Sequence, residues 1–193
     1  MVVSPNIPRI EPPELRIQGC RVLPRVIHHD PRGFLVETMR SDDREIEGDR
    51  FAMSYTSVTV PGQFRDRHQW HLHRRQVDRF VVPLGEMTLV LFDARPDSPS
   101  RGTLSAIRMR GAPYRGTASP SEGQSQTTHL ITIPPGVCHV IGNLHPSDPF
   151  VLVNYPTQLY DPSDEGRRPF SEVPVPTLGG TAFDWDRVQR DPP

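Results

Sequence analysis

Lysine is absent from this chain: all 22 basic residues are arginine. That excludes a lysine Schiff base or lysine general base from whatever chemistry the 193 residues perform. Cysteine is scarce. Cys20 and Cys138 stand far apart with no CxxC spacing, which excludes a zinc knuckle and a redox pair and leaves a reduced, cytoplasmic protein as the expectation. Long apolar runs are missing, since no stretch approaches the roughly 20 apolar residues of a membrane span, and the proline-rich residues 1–13 lack the apolar core of a signal peptide. No charge of one sign dominates. The formal net charge of −1 gives no footprint for nucleic acid and no polybasic surface for a membrane, so the expected partner is a small molecule.

What the chain has in abundance is punctuation. Its 23 prolines and 14 glycines are scattered between short runs of valine, isoleucine, leucine and phenylalanine, which argues for many short strands and tight turns in a single all-β barrel or sandwich. The runs predict strands over 21–27, 34–39, 50–60, 69–73, 78–84, 87–93, 103–109, 129–133, 139–143 and 150–156. Gly85-Glu86 reads as a short hairpin between two of them, and residues 111–126 read as a long polar loop. The expected organisation is an N-terminal extension over 1–20, a barrel over 21–160, and an irregular tail over 161–193 with one short helix near 184–190, packed on the barrel.

Against this background one stretch concentrates chemistry. Trp70-His71-Leu72-His73 is followed by Gln76 and Asp78, and some sixty residues later by Pro134-Pro135-Gly136 and His139. Residues two apart on a strand share a face, so His71 and His73 project together, and partner strands can bring Asp78 and His139 to meet them. Such a cavity either binds a metal or performs acid–base chemistry.

The spacing from His71 to Gly85 and from Pro134 to Asn143 resembles the two signature motifs of the cupin superfamily, with aspartate where glutamate is usual. The resemblance implies a double-stranded β-helix, or jelly-roll, barrel with irregular N- and C-terminal extensions. It also implies a metal alternative: His71, His73, Asp78 and His139 holding Fe, Mn, Ni or Zn, with His139 delivered from the opposite sheet, in an oxygenase, an isomerase or a silent binder. A non-catalytic carbohydrate-binding cupin is a further alternative.

A second resemblance, over about residues 30–185, is to the dTDP-4-dehydrorhamnose 3,5-epimerase family. It rests on Asp30-Pro31-Arg32-Gly33-Phe34 with Glu37, on Asp93-Ala94-Arg95 with Ser98-Pro99, on Ile133-Pro134-Pro135-Gly136 with His139, and on Tyr160-Asp161-Pro162 with Glu165. This resemblance implies proton abstraction next to a 4-keto group of a dTDP-sugar, without a cofactor, in a homodimer. His71 becomes the general base, with His68 as its rival, and imidazole suits the task near neutrality. Arg32 and Glu37 inherit nucleotide contacts; Gln76, His139, Asn154 and Glu165 line the substrate, and neutral His139 or an arginine would supply donors to the enolate. Two positions depart from the family. Asn154 occupies the place of the proton-donating tyrosine, which passes the acid role to Tyr160 or Tyr155, and Asp78 replaces a lysine. Glu172 aligns with the carboxylate that orients the base. Arg65, Arg67, Arg74, Arg75 and Arg79 are available to phosphate, although Arg79 alternates out of phase with Asp78.

Overall fold

The computed structural model describes residues 6–43, 51–114 and 125–190. Most of the predicted loop over 111–126, the start of the predicted strand at residue 50, and both chain ends lie outside the described residues. Thirteen strands appear within them: β1 Arg9–Ile10, β2 Arg21–Asp30, β3 Gly33–Val36, β4 Tyr55–Thr59, β5 Phe64–Arg65, β6 Gln69–His73, β7 Asp78–Leu84, β8 Glu86–Asp93, β9 Leu104–Arg110, β10 Ser125–Ile133, β11 Val137–Gly142, β12 Phe150–Asn154 and β13 Glu165–Pro169. One sheet runs β1-β9-β8-β11-β6-β13 with β5 on β11, and the other runs β3-β2-β10-β7-β12-β4. The jelly-roll reading of the sequence holds.

Burial on both faces explains why β8 carries the unbroken apolar run Leu89–Phe92. Met87, Leu89 and Leu91 point into the core between the sheets, while Val90 and Phe92 point outward beneath the C-terminal segment. The same alternation runs along β11, where Val137 and Ile141 face inward and Cys138 and Val140 outward. By parity His139 faces inward. On β6 Trp70 and Leu72 belong to the outer cluster, so His71 and His73 face the interior.

Three expectations are corrected here. Gly85 is a corner and not part of a hairpin: β7 and β8 lie in different sheets, and a Cβ at this residue (φ +81°) would meet the Pro149 carbonyl at 2.4 Å. The segment after Tyr160 is not irregular, because Glu165–Pro169 pairs antiparallel with β6. Its polar composition hid the strand, since β13 is a sheet edge that is largely exposed. The expected helix near 184–190 is a single 3₁₀ turn, Trp185–Arg187.

Beyond β13 the chain closes the outer face of the first sheet. Phe170 and Phe183 pack on Trp70 at ring distances of 5.0 Å each, Phe92 lies at 5.8 Å, and the Trp185 indole N–H donates to the Asp66 carbonyl at 3.0 Å. Trp70 is thus fully buried back to back with the histidine beside it in sequence. Replacing Trp70 with alanine should cost about 3–5 kcal/mol of stability, read as a lower urea midpoint at unchanged slope.

Candidate active site

The interior faces of β6 and β11 gather three imidazoles. His139 and His71 are direct partners across the two strands, with ring centroids 4.9 Å apart, and His73 lies 4.7 Å from His71. All three therefore come from one sheet. His139 is not delivered from the opposite sheet as expected; that role falls to Asp78 on β7, because the chain crosses between sheets at residues 74–77. Asp78 Oδ2 reaches His73 Nε2 at 3.5 Å and His139 Nε2 at 3.4 Å.

The crossing is held by Asp164, a buried carboxylate just ahead of β13. It accepts from the Gln76 backbone N–H, the Arg75 Nε–H and His73 Nδ1, each at 3.2 Å. Burial raises its pKa, but these donors outweigh burial and hold it below the usual carboxylate value. At the other end of the site, Gly136 in the turn before β11 donates its N–H to the His73 carbonyl at 2.7 Å. A side chain at Gly136 would press on the Arg95 Cγ at 3.0 Å, and Gly136 has a φ of +79°.

Hydrogen bonds assign different work to each histidine. The Gln76 amide nitrogen donates to Asp78 Oδ1 at 2.8 Å and lies 3.1 Å from His73 Nε2, which must then accept; the His73 proton sits on Nδ1, facing Asp164. Both nitrogens of His73 are engaged. His139 lies within 3.3 Å of the Val137 carbonyl through Nδ1, and a carbonyl only accepts, so Nε2 carries a lone pair. That Nε2 is buried without a hydrogen-bond partner, as is Nε2 of His71. Burial, chiefly, and the neighbouring imidazoles push the His71 pKa down to about 4; burial does the same to His139. Both rings are neutral at pH 7.

The second sheet supplies Asn154. The Arg79 backbone N–H donates to its Oδ1 at 2.9 Å, which turns its amide nitrogen toward Asp78 Oδ1 at 2.8 Å and the Tyr55 hydroxyl at 2.9 Å. The carboxylate beside His71 is Glu165, whose Oε1 lies 3.5 Å from His71 Nε2. Arg167, the register partner of His71, pairs with both Glu165 and Asp66.

These bonds also test the metal alternative. Among the described residues no group of three or more His, Cys, Asp or Glu side chains is disposed to hold a metal ion. Part of the donor set is spent locally: His73 has no free nitrogen and Asp78 Oδ1 already accepts two amides, while Nε2 of His71 and of His139 stay unpartnered. With both His73 nitrogens occupied, the four-residue ligand set of the metal alternative is incomplete in this arrangement.

No family model matches the chain. It is 36% identical to the probable low-salt glycan biosynthesis epimerase Agl13 of Haloferax volcanii over 169 residues, covering 86% of this chain and 90% of that protein. It is 30% identical to the spore coat polysaccharide biosynthesis protein SpsL of Bacillus subtilis, covering 88% and 97%. Among solved structures, a dTDP sugar isomerase from Desulfovibrio desulfuricans superposes with a TM-score of 0.69 at 21% identity, covering 90% of this chain and 94% of that one. The chain belongs to the dTDP-4-dehydrorhamnose 3,5-epimerase family.

Several residues carried over from this family lie elsewhere in the fold. Tyr160 is 70% exposed, and Glu172 lies on the outer face with Phe92, Asp93 and Arg168. Glu172 falls in the 3₁₀ turn Phe170–Glu172 beyond the end of β13, next to Arg168, which pairs with outward-facing Trp70, whereas Glu165 pairs with His73. Arg32 lines a cavity of about 610 Å³ beside Leu84, at the far end of β7 from Asp78, and Glu37 is exposed and paired with Arg40. Tyr155 points outward to Thr38 at 2.5 Å, and Arg79 points outward to Met39 at 3.9 Å. His68 is exposed. Sequence reasoning missed Tyr55 and Asp164; the remaining signal for Asp164 was an acidic residue beside Glu165 in a segment that parity alone did not mark as a strand.

A neutral buried histidine has a pH signature. His71 and His139 bind protons more weakly folded than unfolded, so stability is complete above about pH 6.5 and is lost as pH falls toward 4. Urea midpoints should fall between pH 7 and pH 4.5, and His139→Gln should flatten that dependence.

Proposed function

We propose that this protein is a sugar-nucleotide epimerase or isomerase in which His71 removes the proton next to the 4-keto group of a dTDP-sugar. The observation that carries the reading is the His71 Nε2 atom, which belongs to a neutral ring and has no hydrogen-bond partner. A proton α to a ketone is acidic enough for an imidazole base, and no cofactor is needed for the step. Glu165 lies where it stabilises the imidazolium that forms, a role the sequence had suggested for Glu172. His73 positions the wall and takes no proton, because both of its nitrogens are held.

Substrate contacts follow from the polarity of the cavity floor. Asp78 Oδ2 and His139 Nε2 are acceptors that face one another, so they call for donors, which sugar hydroxyls provide. His139 is then a partner for a hydroxyl, not a donor to the enolate. Arg167, in register with His71, brings a guanidinium to that side of the cavity. Gln76 and Asn154 hold Asp78 in place for this contact. No helix among the described residues is long and apolar enough to cross a membrane; a cytoplasmic setting is part of the proposal. So is a homodimer, supported by the exposed Val26, Phe34 and Leu35 on the β2–β3 edge.

Exchange of the α-hydrogen of a 4-keto dTDP-sugar in deuterated water is the test. His71→Asn should slow it by about 100-fold or more, and the acid limb of kcat/KM should lie well below pH 6.5. Absence of exchange at saturating wild-type protein overturns the reading. If the same sugar nucleotide still raises the melting temperature, a carbohydrate-binding role replaces it.

A further inference from the structure

Inverting a carbon by proton transfer needs two groups: a base on one face of the sugar and an acid on the other. His71 stands on β6 in the first sheet, so the acid must come from the wall opposite, which β7, β12 and β4 form. We infer that Tyr55 on β4 is that acid, an assignment that rests on the epimerase reading above.

Register places Tyr55 correctly. It is the direct partner of Asn154 across β4 and β12, and Asn154 is the partner of Phe80 across β12 and β7. Directly opposed residues share a face, and Phe80 meets His139 edge-on at 5.8 Å, so all three project into the cavity. The bond from the Asn154 amide then settles the hydroxyl. Oδ1 of Asn154 is committed to the Arg79 N–H, so the nitrogen must face Tyr55 and donate to its oxygen at 2.9 Å. A hydroxyl whose oxygen accepts in this way keeps its own proton free to donate elsewhere. Although Tyr55 is 44% exposed, partial burial is the largest influence on its phenol and raises the pKa above its ordinary value; the Asn154 hydrogen bond and Arg65 oppose that shift, Asp78 and Glu165 add to it, and the proton is in place at neutral pH.

Elimination agrees. The chain has four tyrosines. Tyr155 is turned outward to Thr38, Tyr114 lines the cavity beside Arg32, and Tyr160, on the segment after β12, is 70% exposed against 44% for Tyr55. There is no lysine, and Cys138 faces the outer cluster. Tyr55 alone shares a hydrogen-bond network with Asp78.

In the step itself, His71 takes the α-proton and the C–H electron pair passes into the enolate. The enolate carbon then forms a bond to the Tyr55 hydroxyl proton from the other face, and the O–H pair stays on the phenolate, stabilised by the Asn154 N–H. Imidazolium and phenolate return to rest by losing and gaining one proton through water.

The experiment compares isotope exchange with inversion in deuterated water, using the full chain and a 4-keto dTDP-sugar. Tyr55→Phe should still wash deuterium into recovered substrate, because His71 can return a solvent-derived deuteron to the face it deprotonates, while inverted product falls by about 100-fold or more. Retained exchange also shows that the variant is folded. His71→Asn should lose both. Undiminished inversion by Tyr55→Phe, or the same split in Tyr160→Phe instead, overturns the assignment alone; wild-type protein with no exchange overturns the epimerase reading and the assignment with it.

Discussion

The site depends on one buried carboxylate that the barrel motif itself does not contain. Asp164 gathers the His73 ring, the Gln76 backbone N–H and the Arg75 guanidinium at the point where the chain leaves one sheet for the other. A carboxylate so buried is tolerated only because its oxygens are matched by donors. Its position ahead of β13 ties the C-terminal segment to β6, and the tie fixes both the tautomer of His73 and the direction in which Gln76 faces Asp78. Thr157 holds Val77 from the other side, its hydroxyl accepting the Val77 N–H at 2.9 Å, so Asp164 and Thr157 together fix the crossing that carries Asp78 to the opposite wall.

From that constraint follows a division of labour among groups that look alike in sequence. His71, His73 and His139 stand within ring distances of 4.7, 4.9 and 6.2 Å, yet only His71 combines a nitrogen without a hydrogen-bond partner with a ring that is partly exposed. His73 is fixed by its two partners, and His139 is tucked against Val137 and Phe80. The low dielectric that makes an unpaired imidazole costly also keeps it neutral, which is the state a base requires.

Asp78, where the family resemblance would place a lysine, reverses the polarity of the cavity floor without leaving a charge unsupported. Gln76 and Asn154 both donate to Oδ1, and Asn154 in turn reaches Tyr55. The residue that stands in the place of the family's tyrosine thereby orients a different tyrosine one strand further across the same sheet. Two departures that look independent along the chain are in contact in the fold.

The strand pattern, the inward parity of His71 and His73, and the family were legible in the sequence because each rests on local alternation, turn residues and spacing. β6 and β7 match the predicted ranges, and Gly85 was visible as a turn. What the turn joined was not. Local signals cannot say whether two consecutive strands pair or part into different sheets, and so His139 was assigned to the wrong wall. Glu165, Glu172 and Tyr160 are all polar residues in an unpatterned tail; only the register of β13 on β6 separates the one that reaches His71 from those that do not. Tyr55 lies more than ninety residues from Asn154, and no spacing rule connects them. The sequence by itself determined that a jelly-roll barrel brings a cluster of ionisable side chains to its inner wall, because hydrophobic alternation and the two motifs are properties of short segments. Which side chains face each other across that cavity was decided by strand pairing between distant segments, and therefore by the tertiary structure alone.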